Sequence, residues 1–182
     1  LLLDLEAEEA IPALIKLLKH KAAEIRALSA RVLGKFKAKD SKKALLALIN
    51  KKEKESDDVL AEALLALGHL DDKKVSPLLI EHLDHLNSKV RGYSISALGE
   101  LGEMSAVETL IERLRDPAQD NKTLIIQNLA KIGDRRAVDP LLSIVEEARM
   151  NSLAGTKGSY LGSYAVQALA TLGEVKVIRL LL

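Results

Sequence analysis

The sequence contains no cysteine and no tryptophan, and one phenylalanine and three tyrosines are its only aromatic residues among 182 positions. The absence of cysteine excludes disulfide bonds, Cys-ligated zinc sites, iron–sulfur clusters and a cysteine nucleophile. Aromatic residues favour strands, so an aromatic share of 2% argues against an all-β fold and against a doubly wound sheet.

An excess of charge of either sign is also missing, and so are long apolar runs. The 27 basic and 26 acidic residues give a net charge of +1. This is too balanced for a partner held mainly by electrostatic attraction, such as duplex nucleic acid or an anionic membrane. No apolar run approaches the ~20 residues that span a bilayer. The N-terminal leucines lack the basic residues that begin a signal peptide, so we expect a cytoplasmic protein.

Leucine and alanine are abundant, with 36 and 23 copies, and both favour helices. Five segments of the chain align with one another, which indicates an internal repeat. Each segment closes on a small residue, and the period of roughly 30–40 residues is that of helical repeat arrays. These small residues are Gly34, Gly68, Gly99, Ala130 and Ala170.

A shorter apolar segment precedes each of these segments and has the periodicity of a helix. In the fourth repeat, for example, Val107, Leu110 and Ile111 recur at i, i+3 and i+4. Acidic or small polar residues stand where helix caps are expected, and prolines are predicted in first helical turns, where a missing N–H costs little. The caps are Asp40-Ser41, Asp71-Asp72 and Asp134, and the prolines are Pro12, Pro77 and Pro140. Each repeat is therefore predicted to be a helical hairpin, with helix A followed by helix B.

Two stretches, Val90 to Gly102 and Asp134 to Leu142, resemble HEAT-like repeats, in particular the short version found in phycobilisome lyases. Tetratricopeptide repeats have a similar period, but their Trp, Tyr and Phe positions are missing here. The resemblance implies an all-α fold: a right-handed α-solenoid, or superhelix, of stacked antiparallel helix pairs.

We predict a single HEAT-like array over residues 1–182. The repeats are about 8–37, 40–71, 72–102, 103–133 and 134–173, followed by a partial sixth repeat at 174–182. Leu1 to Leu5 match the end of a preceding B helix, and Val177, Leu180 and Leu181 match an A helix. Because a solenoid needs polar caps and neither end supplies one, we expect the chain to be part of a longer protein.

The resemblance also implies a role for an arginine at the start of helix B. In the family this arginine ties neighbouring repeats together through acidic partners. The first and third repeats keep it, in Ile25-Arg26 and Val90-Arg91. The second and fifth repeats have Val59-Leu60 and Leu161-Gly162 instead. We therefore expect packing alone to hold the junctions of these two repeats.

A candidate binding face follows from the helical period. We number each B helix from its first predicted residue, which is position 0: Ile25, Val59, Val90, Asn121 and Leu161. At about 100° per residue, positions 0, 3, 4, 7, 8 and 11 face helix A. Positions 5 and 9 face the next repeat, where a small residue permits close approach. Positions 2, 6 and 10 remain, and stacked repeats align them on the concave surface.

Small and polar side chains at these remaining positions suit the surface of a protein or a peptide. A merely solvated face is the equally weighted alternative. We expect charge reversal at Arg31 plus Lys131 to weaken partner binding, and the same change on helix A to leave it intact. The candidate partner-binding residues are Arg31, Lys35, Leu65, His69, Ser96, Glu100, Thr123, Gln127, Lys131, Ser163, Gln167 and Thr171.

The fifth repeat contains an insertion between its two helices. Its helix A is predicted to begin at Val138 and its helix B at Leu161, a longer interval than in any other repeat. The excess lies between Met150 and Tyr160, where small and flexible residues predict a long loop. Such a loop is either a recognition element or a tolerated insertion.

Two of the tyrosines favour recognition as the role of this insertion. Tyr160 and Tyr164 lie in or beside it, although aromatic residues are rare in the chain. Lys157 and Tyr160 therefore join the candidate partner-binding residues.

Motifs for chemistry are weak. His82 and His85 are three residues apart and could offer metal ligands, but a polar turn at a helix end is the more common use of such a pair. Gly155 to Ser159 has the residues of a phosphate loop in the wrong order, with no strand before it. We therefore predict no catalytic residues, no metal and no cofactor.

Three functions remain in order of preference. The first is a non-catalytic scaffold that binds an unidentified protein partner on the B-helix face and the fifth-repeat loop. The second, implied by the resemblance, is a subunit or chaperone-like component of a phycobilin lyase system, which attaches bilins to phycobiliproteins. The third is DNA binding as in HEAT-like alkylpurine glycosylases, which needs a basic, aromatic groove that this composition does not favour.

Overall fold

The computed structural model describes residues 2–50, 55–116, 120–154 and 160–175, with side chains from residue 9 onward. These segments contain ten α-helices, short 3₁₀ turns and no strand. None of the described helices combines the length and apolar character needed to cross a bilayer. The helices are α1 Leu2–Leu17, α2 Ala23–Lys35, α3 Lys42–Ile49, α4 Asp57–His69, α5 Ser76–Glu81, α6 Ser88–Glu100, α7 Val107–Arg115, α8 Lys122–Ile132, α9 Val138–Leu153 and α10 Leu161–Thr171.

The helices form two compact units, an N-terminal unit over residues 1–101 and a C-terminal unit over residues 102–182. Odd-numbered helices are the A helices of the predicted hairpins, and even-numbered helices are the B helices. In the N-terminal unit α4 packs against α2 and α6, and in the C-terminal unit α10 packs against α8 and α9. This arrangement confirms the all-α prediction of helical hairpins in repeated order.

Small residues bring neighbouring B helices of the N-terminal unit together. A Cβ atom added at Gly34 would lie 2.7 Å from the Cα of Ala66, and one added at Gly68 would lie 2.5 Å from the Cβ of Ala97. In each pair, position 9 of one B helix touches position 7 of the next. The prediction that position 9 allows a close inter-repeat approach is confirmed at these two junctions.

A left-handed residue closes each B helix, at a spacing that repeats with the hairpins. Glycine occupies this position in three repeats, at Gly102, Gly133 and Gly173, with φ between 57° and 81°. The first two repeats have Lys37 at φ 50° and Asp71 at φ 57°. A side chain with a Cβ is strained in this conformation, whereas glycine adopts it readily.

Replacing Lys37 by glycine is expected to raise the free energy of unfolding by about 0.5–1 kcal/mol, because the native φ of this residue favours glycine. Urea denaturation followed by circular dichroism measures the change. Gly133→Ala is the reverse experiment at the equivalent position, and it should destabilise by about 1 kcal/mol. A Lys37→Gly variant that is less stable than the original chain would contradict the expectation.

Two sequence expectations about α1 are wrong. Leu2 to Leu5 do not end a preceding helix, because they are the first residues of α1 itself. Pro12 lies inside α1 rather than in a first helical turn, whereas Pro77 and Pro140 do lie in the first turns of α5 and α9. The residues before Pro12 are mostly Leu, Ala and Glu, which are strong helix formers, and nothing in them stops the helix.

Acidic residues cap the turns that lead into the A helices. The carboxylates of Asp72 and Asp134 each accept a hydrogen bond from the backbone N–H two residues later, as predicted. Glu103 does the same in the fourth repeat, where no cap was predicted. Ser41 instead donates its hydroxyl to the carbonyl of Ala38. Three of these turns are therefore fixed by a local side-chain hydrogen bond.

Stability is expected to fall in acid because of two of these caps. A hydrogen bond from the Lys42 ammonium lowers the pKa of Asp72, and a hydrogen bond from the Arg136 guanidinium lowers the pKa of Asp134. A lowered pKa means that the stabilisation is complete above the unfolded value, about pH 4, and is lost as the pH falls through the folded value. Urea denaturation at several pH values measures the trend, and Asp134→Asn should reduce it. If the free energy of unfolding of Asp134→Asn depended on pH as strongly as that of the original chain, this would contradict the role given to the Asp134 cap.

Helix α9 continues into the fifth-repeat insertion as far as Leu153, so the prediction that a loop begins at Met150 is wrong. Helix α9 has 16 residues against nine in α7, and Met150 to Leu153 form its end. Helix formers precede this point without a breaker, so the helix continues. The remaining residues of the insertion, 155–159 with Lys157, lie outside the described residues, as do residues 176–182 of the predicted sixth repeat.

Candidate functional site

The candidate residues of the N-terminal unit lie on one face of α2, α4 and α6, which we call the N-terminal B face. Arg31, Lys35 and Glu100 are exposed, whereas Leu65, His69 and Ser96 are half-buried. Ala61 and Gly92, at position 2 of their helices, are buried. Position 2 therefore does not belong to the open surface of these two repeats.

Arg31 lies on this face and also contacts a buried side chain of the next repeat. Its guanidinium lies 2.5 Å from the carboxylate of Glu62, which is only 2% exposed, and the Tyr93 hydroxyl approaches the same oxygen at 3.5 Å. These three side chains come from α2, α4 and α6. Reversal of the charge at Arg31 would leave a buried carboxylate facing a like charge, so Arg31 is a poor choice for a binding test.

A groove of about 400 Å³ runs across the N-terminal B face between α2, α4 and α6. Leu28 is 53% exposed on its wall, and Lys89 lies 2.5 Å from Asp58 and 5.6 Å from the ring centre of Tyr93. The hydrogen bond from Lys89 lowers the pKa of Asp58. Four of the charged side chains that line the groove are therefore already paired, Arg31 with Glu62 and Lys89 with Asp58.

Sequence reasoning missed part of this lining. Leu28 and Glu62 occupy position 3, which was expected to face helix A, and Asp58 and Lys89 occupy the position before the predicted start of the helix. At about 100° per residue, position −1 is about 20° from position 6 and position 3 is about 60° from it. Both positions therefore lie near position 6 around the helix axis, so the helical period alone could have identified these residues as part of the face.

The candidate residues of the C-terminal unit converge on a second groove, of about 300 Å³, between α8 and α10. It is lined by Gln127, Lys131, Gln167 and Thr171, together with Tyr164. We call this surface the C-terminal B face. Four predicted partner-binding residues therefore meet in one place. The other two B-helix candidates of this unit lie outside this groove: Thr123 is half-buried, and Ser163 donates its hydroxyl to the carbonyl of Tyr160.

Tyr160 stands beside this unit's B helices and is 72% exposed. Its ring meets that of Tyr164 edge to face, with 6.4 Å between the ring centres. Met150 and Leu153, at the end of α9, are also strongly exposed. The predicted role of Tyr160 in recognition remains a prediction, and its side chain is accessible to a partner.

The arginine that the resemblance assigned to repeat junctions behaves as expected in the first repeat. Arg26 donates Nε to Glu55 at 3.0 Å, immediately before α4, and a second donor of the guanidinium reaches the other carboxylate oxygen. It also donates to the carbonyls of His20 and Lys21. Arg91 makes the equivalent bonds to the carbonyls of the turn before α6.

The expectation that packing alone holds the second repeat to the third is wrong. The Asn87 amide donates to Asp57 at 2.9 Å, and the Lys89 ammonium pairs with Asp58. Two acidic residues at the start of α4 thus replace the missing arginine, with the donors supplied by the next repeat. The junction that follows the fifth repeat lies outside the described residues.

His82 and His85 form a structured turn after α5. Their rings stack with 6.2 Å between centres. His82 Nδ1 lies 2.8 Å from the carbonyl of Leu78, and His85 Nδ1 accepts a hydrogen bond from the backbone N–H of Asn87. Among the described residues, no group of three or more potential ligands is arranged to hold a metal ion.

Repeated helical hairpins, close B-helix junctions and capped inter-hairpin turns define a helical-repeat protein of the solenoid class. A family model described as HEAT repeats matches residues 2–56, 52–129 and 76–150. The chain therefore belongs to the HEAT repeat family. A comparison with curated protein sequences found no match.

Two solved structures share this fold. One is the complex of CpcE and CpcF of phycocyanin lyase from Nostoc sp. PCC7120, with a TM-score of 0.72 and 22% identity over 92% of this chain. This chain spans 66% of the matched lyase chain, slightly less than two thirds. The other is an engineered protein, with a TM-score of 0.55 and 20% identity, and the match covers 93% of this chain and 83% of the engineered one.

Proposed function

We propose that this chain is a non-catalytic HEAT-repeat scaffold that binds a protein partner on its B-helix faces. The observation that carries the proposal is the groove of the C-terminal B face, where predicted partner-binding residues from two consecutive repeats meet. The polar residues and the tyrosine that line it are typical of surfaces that recognise proteins.

Gln127 and Gln167 supply the polar groups of this groove. Both are exposed at position 6 of consecutive B helices. Within the part of the chain that the structure describes, neither amide forms a hydrogen bond to another residue. A side-chain amide both donates and accepts, so the pair matches the N–H and C=O groups of a partner's main chain. Tyr164 adds apolar area beside them.

The double variant Gln127→Arg, Gln167→Arg is expected to weaken partner binding at least tenfold, because two long charged side chains would fill the groove. Proteins retained by the immobilised chain from an extract of its source organism are identified and then titrated individually. The matched control is Glu112→Arg, Glu146→Arg, which introduces the same residues on exposed positions of α7 and α9. An equal loss of partner affinity in both variants would overturn the proposal.

A charge-reversal experiment tests the two B faces together. Lys35 replaces Arg31 in this test, because Lys35 is exposed and forms no ion pair within the described residues. Lys35→Glu together with Lys131→Glu is expected to weaken binding of the same partner, whereas Lys43→Glu on helix α3 is expected to leave it unchanged. A partner indifferent to both variants would bind elsewhere on the chain.

A role in a phycobilin lyase system is the second candidate, and the fold similarity to the CpcE and CpcF complex favours it. Under this proposal the chain works as a subunit or chaperone-like component of bilin attachment. Titration with phycocyanobilin provides the test, since a chain that holds a bilin shifts the pigment's visible absorbance. An unchanged spectrum, both with and without a phycocyanin subunit present, would contradict the lyase role. The scaffold would then be the one proposed function left.

A further inference from the structure

A third groove, of about 430 Å³, lies on another surface of the C-terminal unit, where α7 and α9 meet the first residues of α8 and α10. None of the predicted partner-binding residues lines it. Its walls are contributed by Arg115 at the end of α7, by Lys122 at the start of α8, and by one face of α9. This groove and the C-terminal B face share no lining residue, so the two surfaces can be tested independently.

The charges of this groove are separated by sign. Arg115 and Lys122 form a basic wall, and Asp139 and Glu147 form an acidic wall on α9. Asp139 and Glu147 are eight residues apart, which places them on the same face of the helix at about 12 Å along its axis. Within the described residues none of the four forms an ion pair or a side-chain hydrogen bond.

An apolar strip runs along the acidic wall. Pro140 and Ile144 extend along α9 between the two carboxylates, and Leu161 at the start of α10 continues the strip. All three side chains are half-buried. The groove thus presents apolar surface together with a positive wall and a negative wall, and the charges of its walls sum to zero.

We propose that this groove binds a short extended segment of a partner protein in which one acidic and one basic side chain flank apolar residues. Charge complementarity identifies the occupant: its carboxylate faces Arg115 and Lys122, and its ammonium or guanidinium faces Asp139 and Glu147. A polyanion is repelled by the acidic wall, and a purely basic segment is repelled by the basic wall. Three of the four charged lining residues are exposed and Lys122 is half-buried, so a peptide that covers one open side fits better than an enclosed small molecule.

Nuclear magnetic resonance titration with synthetic peptides tests the proposal. The probe is acetyl-Gly-Glu-Leu-Leu-Lys-Gly-amide, and the reference peptide carries Gln in place of both Glu and Lys. We expect the zwitterionic probe to shift the backbone amide signals of Arg115, Lys122 and the first half of α9. We expect it to bind about fivefold more tightly than the neutral reference at low salt, with the difference reduced at high salt. Equal affinities of the two peptides would overturn the proposal.

A switch of charge preference provides the second arm. In Arg115→Glu, Lys122→Glu both walls become acidic, so the probe should lose its advantage and a peptide with Lys at both charged positions should bind more tightly instead. Lys16→Glu, Lys43→Glu changes the net charge by the same amount at exposed positions of the N-terminal unit and should leave the preference unchanged. If this control switches the preference as well, the proposal fails.

Two further measurements keep the result interpretable. If the reversed variant does not fold by circular dichroism, Arg115→Gln, Lys122→Gln replaces it, and this variant should lower the affinity for the probe to that of the neutral reference. Signals that shift at Gln127 and Gln167 rather than at α9 would assign the peptide to the C-terminal B face and overturn the proposal. The Gln127→Arg, Gln167→Arg variant should retain probe binding, which separates this site from the proposed scaffold function.

Discussion

Gly68→Ala is expected to lower the free energy of unfolding by about 2 kcal/mol, the net of a steric cost and a gain in helix propensity. The new methyl group would lie 2.5 Å from the Cβ and 2.6 Å from the Cα of Ala97, and the backbone of α6 cannot yield as a flexible side chain would. Overpacking of this kind costs about 1–3 kcal/mol, while alanine gains up to about 1 kcal/mol over glycine within a helix. We place the steric cost near the upper end because the contact involves backbone.

The comparison residue is Ala130, which occupies position 9 in the fourth repeat and is half-buried. Ala130→Gly should destabilise by about 1 kcal/mol through helix propensity alone. Urea denaturation followed by circular dichroism measures both variants. If propensity governed Gly68 as well, Gly68→Ala would stabilise the chain, and that outcome would contradict the close junction between α4 and α6.

Arg31→Leu is the second change with a large expected effect. It removes the guanidinium that lies 2.5 Å from Glu62, and Glu62 is only 2% exposed. Loss of one partner of a buried ion pair costs about 3–5 kcal/mol. Arg31 itself is about half exposed and the Tyr93 hydroxyl remains near the carboxylate, so we expect a loss of about 2 kcal/mol in this protein.

A double-mutant cycle separates the ion pair from the loss of side-chain packing. Glu62→Leu leaves Arg31 in contact with water, so it should cost much less than Arg31→Leu. The combination Arg31→Leu, Glu62→Leu should recover most of the stability, because no buried carboxylate is left unpaired. Lys35→Leu, on the same helix but without an ion pair in the described residues, is the matched control. If Lys35→Leu lowers the free energy of unfolding as much as Arg31→Leu does, loss of the ion pair with Glu62 is not the cause of the destabilisation.

The sequence predicted the hairpins and their junctions because both depend on local, repeated properties. Helical periodicity identifies each helix, and small residues at a fixed position identify where B helices approach, as at Gly34 and Gly68. The length of α9 was not predicted, because small and polar residues around Asn151 and Ser152 suggested a loop while the preceding helix formers carried the helix through Leu153.

The candidate site was predicted only in part because exposure depends on the neighbouring repeat. Gln127 and Gln167 lie on the groove as expected, whereas the pairing of Arg31 with Glu62 joins residues that are 31 positions apart. Such a contact depends on how far one hairpin is displaced along the next. The periodicity of a single helix does not predict that displacement. The third groove was missed for the same reason, since its walls come from four helices.

The contact between Gly68 and Ala97 has a genetic consequence. One methyl group fits between the two backbones, and the chain places it on α6 rather than on α4. Ala97→Gly should therefore act as a second-site suppressor of Gly68→Ala, and the same reciprocity should link Gly34 with Ala66. Natural variation at the two positions of a junction is therefore constrained in pairs. A double change that exchanges the glycine and the alanine is tolerated, whereas either single change is not.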